Sequence, residues 1–220
     1  MPEYKQSIPK QPISYILYDF KKVYQDKHFL GLTLALPMVS MPLMLWIALS
    51  PVMLVEELGL SSLQYGMAQF PVLGGLILGN IVLIKVIDKL ALGKTVIIGL
   101  PIMLFGTFIL LLGVVWPAYF LWSLIIGMTL ISFGEGLSFS VLYRFALMSS
   151  QVSKGTVAAA VSMLLMFSFF IIIELVRMLY EQFHLLGYSL ACLVLIALWF
   201  TFPRMLLNKV MQQRQQQDLN

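Results

Sequence analysis

TVIIGLPIMLFGTFILLLGVVWPAYFLWSLIIGMTLISFG, residues 95–134, runs for forty positions without a charged side chain. A bilayer's hydrocarbon core is about 30 Å thick and takes roughly 20 apolar residues as a helix. The stretch is too long for one crossing and long enough for two. Trp116-Pro117 lies near its middle, and proline removes a backbone donor and disfavours helix at the preceding residue. A tight turn is expected there, with spans at 96–116 and 118–143. Working outward, Phe29–Val55 and Leu58–Ile84 are equally free of charge. The full set of expected spans is 29–54, 60–84, 96–116, 118–143, 156–180 and 186–203. The fold class is an all-α membrane protein with six transmembrane helices.

Composition agrees. The chain of 220 residues is 60% hydrophobic and 11% charged, whereas roughly a quarter of a soluble domain is charged. The net charge of +4 does not point to nucleic acid, because the cations are sorted by topology. Lys5, Lys10, Lys21, Lys22 and Lys27 precede the first span. Lys85, Lys89 and Lys94 fall in the second gap, Arg144 and Lys154 in the fourth, and Arg204, Lys209 and Arg214 after the last span. Of the 14 basic residues only Arg177 falls on the other side, with Glu56, Glu57 and Glu181. The positive-inside rule then predicts cytoplasmic termini and a multi-pass protein of the cell inner (plasma) membrane.

The expected organisation is a cytoplasmic linker at 1–28, a six-helix bundle at 29–203 and a polar, frayed tail at 204–220. In the linker, Ile13, Ile16, Leu17, Phe20, Val23 and Tyr24 recur at helical spacing, while Lys21, Lys22 and Lys27 can face water and lipid phosphates. This predicts an amphipathic helix lying on the membrane surface. The opening MPEYKQSIPKQPISY has no apolar signal-peptide core.

Enzyme signatures are missing: there is no HExxH, GxSxG, Walker loop or Gly-rich dinucleotide fingerprint. His28 and His184 belong to opposite faces and cannot share a metal. Cys192 stands alone in an apolar run, so no disulfide or cysteine metal site is expected. No catalytic residue, metal or cofactor is assigned.

Ionisable residues inside spans are costly and point to function by default. Glu135, in SFGEGLS, lies nine residues from Arg144, about 13 Å along a helix, and so near the midplane. Gly134 and Gly136 flank it and allow close helix approach. It reads as a protonatable group lining a polar cavity, or as a carboxyl bonded to a neighbouring helix. Glu174 lies near the opposite surface with Arg177 at i+3, and the pair reads as a structural ion pair. Gln69 and Asn80 are three helical turns apart on one face, suited to ligand contact or to interhelical hydrogen bonds. Pro37, Pro42 and Pro51 interrupt the first span and Pro71 the second. Such breaks are tolerated where protein or a cavity satisfies the freed carbonyls, and they often mark substrate-lining helices.

SMPLMLWIALSP (40–51), QYGMAQFPVLGGLILGN (64–80) and VSKGTVAAAVSMLLM (152–166) closely resemble the C-terminal half of the MdfA-like multidrug–proton antiporters, in the drug:H+ antiporter group of the major facilitator superfamily. The likeness runs from about Leu34 to Met166 and more loosely to Phe202, and the opening MPE resembles that family's inter-half linker. The resemblance implies one six-helix half of the fold, in a transporter that exchanges lipophilic or cationic drugs for protons by alternating access. It implies that Leu43, Met44 and Ile47 line the drug pocket and that Gln69 and Ser162 face the same cavity, although the family has Gly where Ser162 stands. IDKLALGK (87–94) resembles a degenerate form of the superfamily's loop motif, carried here by Asp88, Lys89, Gly93 and Lys94. Arg144 matches a basic residue at the end of the family's tenth helix. Glu135 has no acidic counterpart in the family pattern.

The family's proton-coupling carboxylates belong to its N-terminal half, so an N-terminal partner half is expected, with the proton gradient as energy source and the lipid bilayer as surroundings. Two other readings stand beside this one. The chain works as a homodimeric half-size transporter, or it is a non-transporting membrane fragment or assembly partner.

Overall fold

The computed structural model of the protein describes residues 13–90, 93–150 and 152–217. Helix α1 (Ile13–Gln25) stops at Asp26, whose extended backbone turns the chain. The Asp26 carboxylate caps the next helix by accepting from the backbone N–H groups of His28 (2.8 Å) and Phe29 (3.4 Å). That helix, α2 (Lys27–Pro51), contains Pro37, Pro42 and Pro51, and it passes into a π-helical turn, Val52–Glu57. The first span, expected at 29–54, thus ends in a π-helical turn. Pro51 cannot donate to the preceding turn, and the ladder beyond it is re-spaced as a wide turn of the kind seen where a helix is locally interrupted.

Ser61 starts α3 (Ser62–Val86) with a capping box: its hydroxyl accepts from Gln64 N–H, and the Gln64 side chain accepts from Ser61 N–H. Gly93, in the left-handed region at φ 96°, opens α4 (Lys94–Val115). A single 3₁₀ turn, Pro117–Tyr119, then reverses the chain into α5 (Phe120–Met148). The turn expected at Trp116-Pro117 is present. The fourth span extends five residues beyond its expected end at 143, so Arg144 lies one turn inside the helix rather than at its tip.

The last helix, α6 (Lys154–Gln217), is interrupted at His184, where φ is 48° and ψ is −132°. A straight helix of 64 residues would be roughly 96 Å long. Instead Ile172, Leu179, Leu186 and Leu195 line one groove of about 420 Å³, so the chain folds back on itself at the break. Gly187 makes the turn possible: a Cβ there would lie 2.6 Å from the Leu179 carbonyl oxygen. The two arms supply the fifth and sixth crossings. Five helices among the described residues are long and apolar enough to cross a membrane, with the two arms counted as one. The helix continues through Gln217, so the polar tail expected after 203 carries on as helix over its described residues. Gln, Arg, Lys and Met are adequate helix formers and extend a helix already nucleated by the bundle. Residues 1–12 and 218–220, which the expected linker and tail include, lie outside the described residues.

Helix α5 is the centre of the bundle. Towards α3, a Cβ on Gly75 would meet the Thr129 carbonyl oxygen at 2.5 Å, and one on Gly136 would meet that of Leu76 at the same distance. Towards α4, a Cβ on Gly106 would lie 2.6 Å from the Gly127 carbonyl oxygen. Backbones this close need glycine at the contact, the device by which membrane helices gain packing energy without a hydrophobic driving force. The second arm of α6 closes the other side. Tyr188 is fully buried and directs its hydroxyl to the Met128 sulfur (3.1 Å) and the Pro42 carbonyl (3.5 Å), joining α6, α5 and α2.

Candidate functional site

Glu135 sits one residue past the middle of α5, whose ends are Phe120 and Met148. Its neighbours in sequence fix its surroundings. Gly134 lies against α4, where an added Cβ would be 2.6 Å from the Gly99 carbonyl oxygen. Gly136 lies against α3, where an added Cβ would be 3.0 Å from Gly79 Cα. With both flanks wedged, Glu135 takes the remaining direction. It stands seven residues from Met128, almost two full turns, and so shares the face on which Met128 receives Tyr188. The residue is 4% exposed, and its Oε2 has no hydrogen-bond partner among the described residues. Ser132, one turn away on the same side, and Ser189, beside Tyr188, also carry buried hydroxyls without partners among the described residues. A buried polar group left unpaired is costly, which makes this mid-helix carboxyl the bundle's candidate functional group.

The positions that resemble drug-pocket residues divide. Leu43 is 2% exposed and belongs to the helix core, so it does not line an open surface in this structure. Met44 is half-buried, and Ile47 is exposed on the outer side of α2. Gln69 lies beside this turn of α2. Its Oε1 accepts from the Trp46 indole N–H at 2.7 Å, and its Nε2 donates to Ser50 Oγ at 3.2 Å. Asn80 is directed elsewhere. It donates to the Leu76 carbonyl of its own helix (2.9 Å) and accepts from Ser140 of α5 at 3.5 Å. The two amides that share one face in the sequence pattern therefore serve two different helix contacts. Ser162 is exposed on the first arm of α6, and among the described residues no hydrogen bond joins it to the others.

Asp88 and Lys89 are exposed in the turn after α3, Gly93 caps α4 and Lys94 is its first residue. At the other end of the bundle Arg177 pairs with Glu174 (2.7 Å) and Glu181 (3.3 Å), all about half-exposed. His184 Nδ1 lies 3.3 Å from Glu57 Oε1, which links the α6 break to the π turn. Trp46 and Tyr188, which hold the site together, were not expected from the sequence. Their signal, a lone indole and phenol within apolar runs, is legible only as a need for some polar partner.

Among the described residues the bundle combines a buried mid-helix carboxyl, proline-interrupted helices and exposed apolar faces on α3 and α6. Compared with known proteins, the chain is 70% identical over all 220 residues to the chloramphenicol resistance protein CraA of Acinetobacter baumannii, matching 53% of that protein. The chain belongs to the major facilitator superfamily. It is 34% identical to the multidrug resistance protein MdtM of Salmonella typhimurium, over 90% of this chain and 49% of MdtM. With the multidrug transporter MdfA of Yersinia pestis it shares 36% identity, over 82% of this chain and 44% of MdfA. No protein-family model matches it. The chain spans about half the length of the curated relatives it matches. Its architecture is a six-helix half-bundle of this superfamily, in a multi-pass membrane protein.

Proposed function

We propose that the chain is the C-terminal half of a drug–proton antiporter of the inner membrane, acting with an N-terminal six-helix half in the same or a separate polypeptide. The basic gaps face the cytoplasm in this reading, and alternating access rocks the bundle against its partner. The single observation that carries it is full-length similarity to about half of a drug-resistance transporter. The surface of the bundle supports it. α3 and α6 are the least buried helices, with Phe70 78% and Phe170 74% exposed.

Met44, Ile47, Gln69 and Ser162 then face lipophilic drugs from one wall, with Leu43 supporting the wall from within and Asn80 at its α5 seam. Methionine and aliphatic side chains suit a pocket that must adapt to several substrates. Glu135 takes and releases a proton in the buried centre, adding to carboxylates of the other half. No cofactor is needed, since the proton gradient supplies the energy. Asp88, Lys89, Gly93 and Lys94 act as a hinge between the second and third spans. The test is efflux from drug-sensitive cells producing the chain alone, or joined to the N-terminal half of an MdfA-type transporter. Proton-dependent efflux only in the joined form is expected. Equal efflux by the chain alone would replace this reading with the homodimer, and no efflux in either form would contradict both.

A further inference from the structure

Helix α1 is pinned to the bundle along one side and, among the described residues, unpartnered along the other. Val23 is fully buried, and Phe20 and Tyr24 pack against the core. Tyr24 stacks on Phe20 (6.2 Å) and meets Phe29 edge-on (6.3 Å). Its hydroxyl donates to the Ala160 carbonyl of α6 at 3.3 Å. Partial burial raises the Tyr24 phenol above its ordinary pKa, which keeps it a donor. The opposite side exposes Tyr15, Leu17 and Tyr18, each at least half-open, beside Lys21 and Lys22. Asp19, half-buried between the two faces, is the helix's acidic residue.

The Tyr24 contact sets the depth of this face. From Lys154 to the break at His184 the first arm of α6 is thirty residues, about 45 Å. Centring a hydrocarbon core of about 30 Å on it leaves about 7 Å at each end. Ala160 lies six residues from Lys154, about 9 Å along the axis, and so at the boundary between headgroups and acyl chains. The end of α1 at Tyr24 therefore stands at headgroup level, with the two ammonium groups of Lys21 and Lys22 within one turn and Tyr18 within two. Tyrosine and lysine at that depth are the chemistry that contacts lipid phosphates.

We propose that α1 is a docking surface for anionic phospholipid headgroups. Lys21 and Lys22 hold the phosphates, and the bound lipid keeps Tyr24 on Ala160 at the start of the fifth span. This inference rests on the six-span reading and not on drug transport. Each lysine near an anionic surface contributes a factor of about five, so losing both should weaken binding roughly 25-fold.

The test follows the thermal midpoint of the purified full chain in neutral detergent as phosphatidylglycerol, phosphatidylcholine or soluble glycerol phosphate is added. Phosphatidylglycerol alone should raise the midpoint, and its half-maximal concentration should rise roughly 25-fold in Lys21→Gln/Lys22→Gln. Lys21→Arg/Lys22→Arg should behave as wild type. An equal response to phosphatidylcholine or to glycerol phosphate would overturn the proposal. So would an unchanged phosphatidylglycerol response in the Gln variant, which would assign the effect to other cations such as Lys85, Lys94 and Arg144.

Discussion

Gln69 and Trp46 are joined by a 2.7 Å hydrogen bond from the indole N–H to the amide oxygen, across the contact between α3 and α2. Trp46 is fully buried, so its N–H has nowhere else to go. Gln69 spends one oxygen lone pair on this bond and one amide hydrogen on Ser50, which leaves one lone pair and one hydrogen free for a ligand. Any contact of Gln69 with drugs is made by an amide held in place by Trp46.

Gln69→Leu should strand the Trp46 indole and destabilise the chain by about 1–3 kcal/mol. Trp46→Phe in the same chain should recover part of that loss. The coupling from a double-mutant cycle, read from unfolding in detergent, should be about 0.6–1.7 kcal/mol. Additive effects would mean the bond is not made.

Gly136→Val should cost more than Gly74→Ala by a wide margin. At Gly136 a Cβ meets the Leu76 carbonyl oxygen at 2.5 Å, whereas nothing lies within 4 Å of one at Gly74. Overpacking at the first site should cost about 1–3 kcal/mol or more. The second substitution should stabilise by about 0.4–1 kcal/mol through the unfolded state. Thermal midpoints of the two variants check the order.

His184→Gly should raise the thermal midpoint. A non-glycine residue at φ 48° costs about 1–3 kcal/mol, and the exposed contact with Glu57 (3.3 Å) should return less than that. A lower midpoint would show that the ring, which also lies edge-on to Tyr180 at 6.0 Å, holds the break together.

Glu135→Gln keeps shape and hydrogen-bonding atoms while removing the titratable group. In the joined transporter it should reduce the effect of a proton gradient on drug exchange by about 5- to 150-fold, the usual range for coupled sites. Drug binding at fixed pH should persist. Counterflow with and without a pH gradient separates the two, and unchanged coupling would return Glu135 to a packing role.

The spans were legible because a bilayer imposes length, and cations mark where each crossing ends. The reversal at Pro117 followed from proline chemistry, and the break at His184 falls in the gap expected between 180 and 186. Position along the helix was legible too, since Glu135 lies within a residue of the centre of α5. Rotation was not. The apolar runs have no amphipathic face, because lipid and core are equally apolar, so periodicity does not say which side meets which neighbour. Leu43 therefore resembles a pocket residue yet faces the core. Gln69 and Asn80 share a face in the pattern but reach toward different helices. The pairing of Gly134 with Gly99 and Gly136 with Gly79 required the third dimension.

Orientation in the membrane is the claim from which drug-facing wall, proton path and lipid-facing α1 all follow. In a Cys192→Ser background, Lys89→Cys and Gly59→Cys report the two ends of α3, and intact cells can be treated with a membrane-impermeant maleimide. Labelling of the cysteine at 59, with that at 89 labelled only after permeabilisation, is the predicted result. Labelling at 89 in intact cells, with 59 protected, would contradict the account.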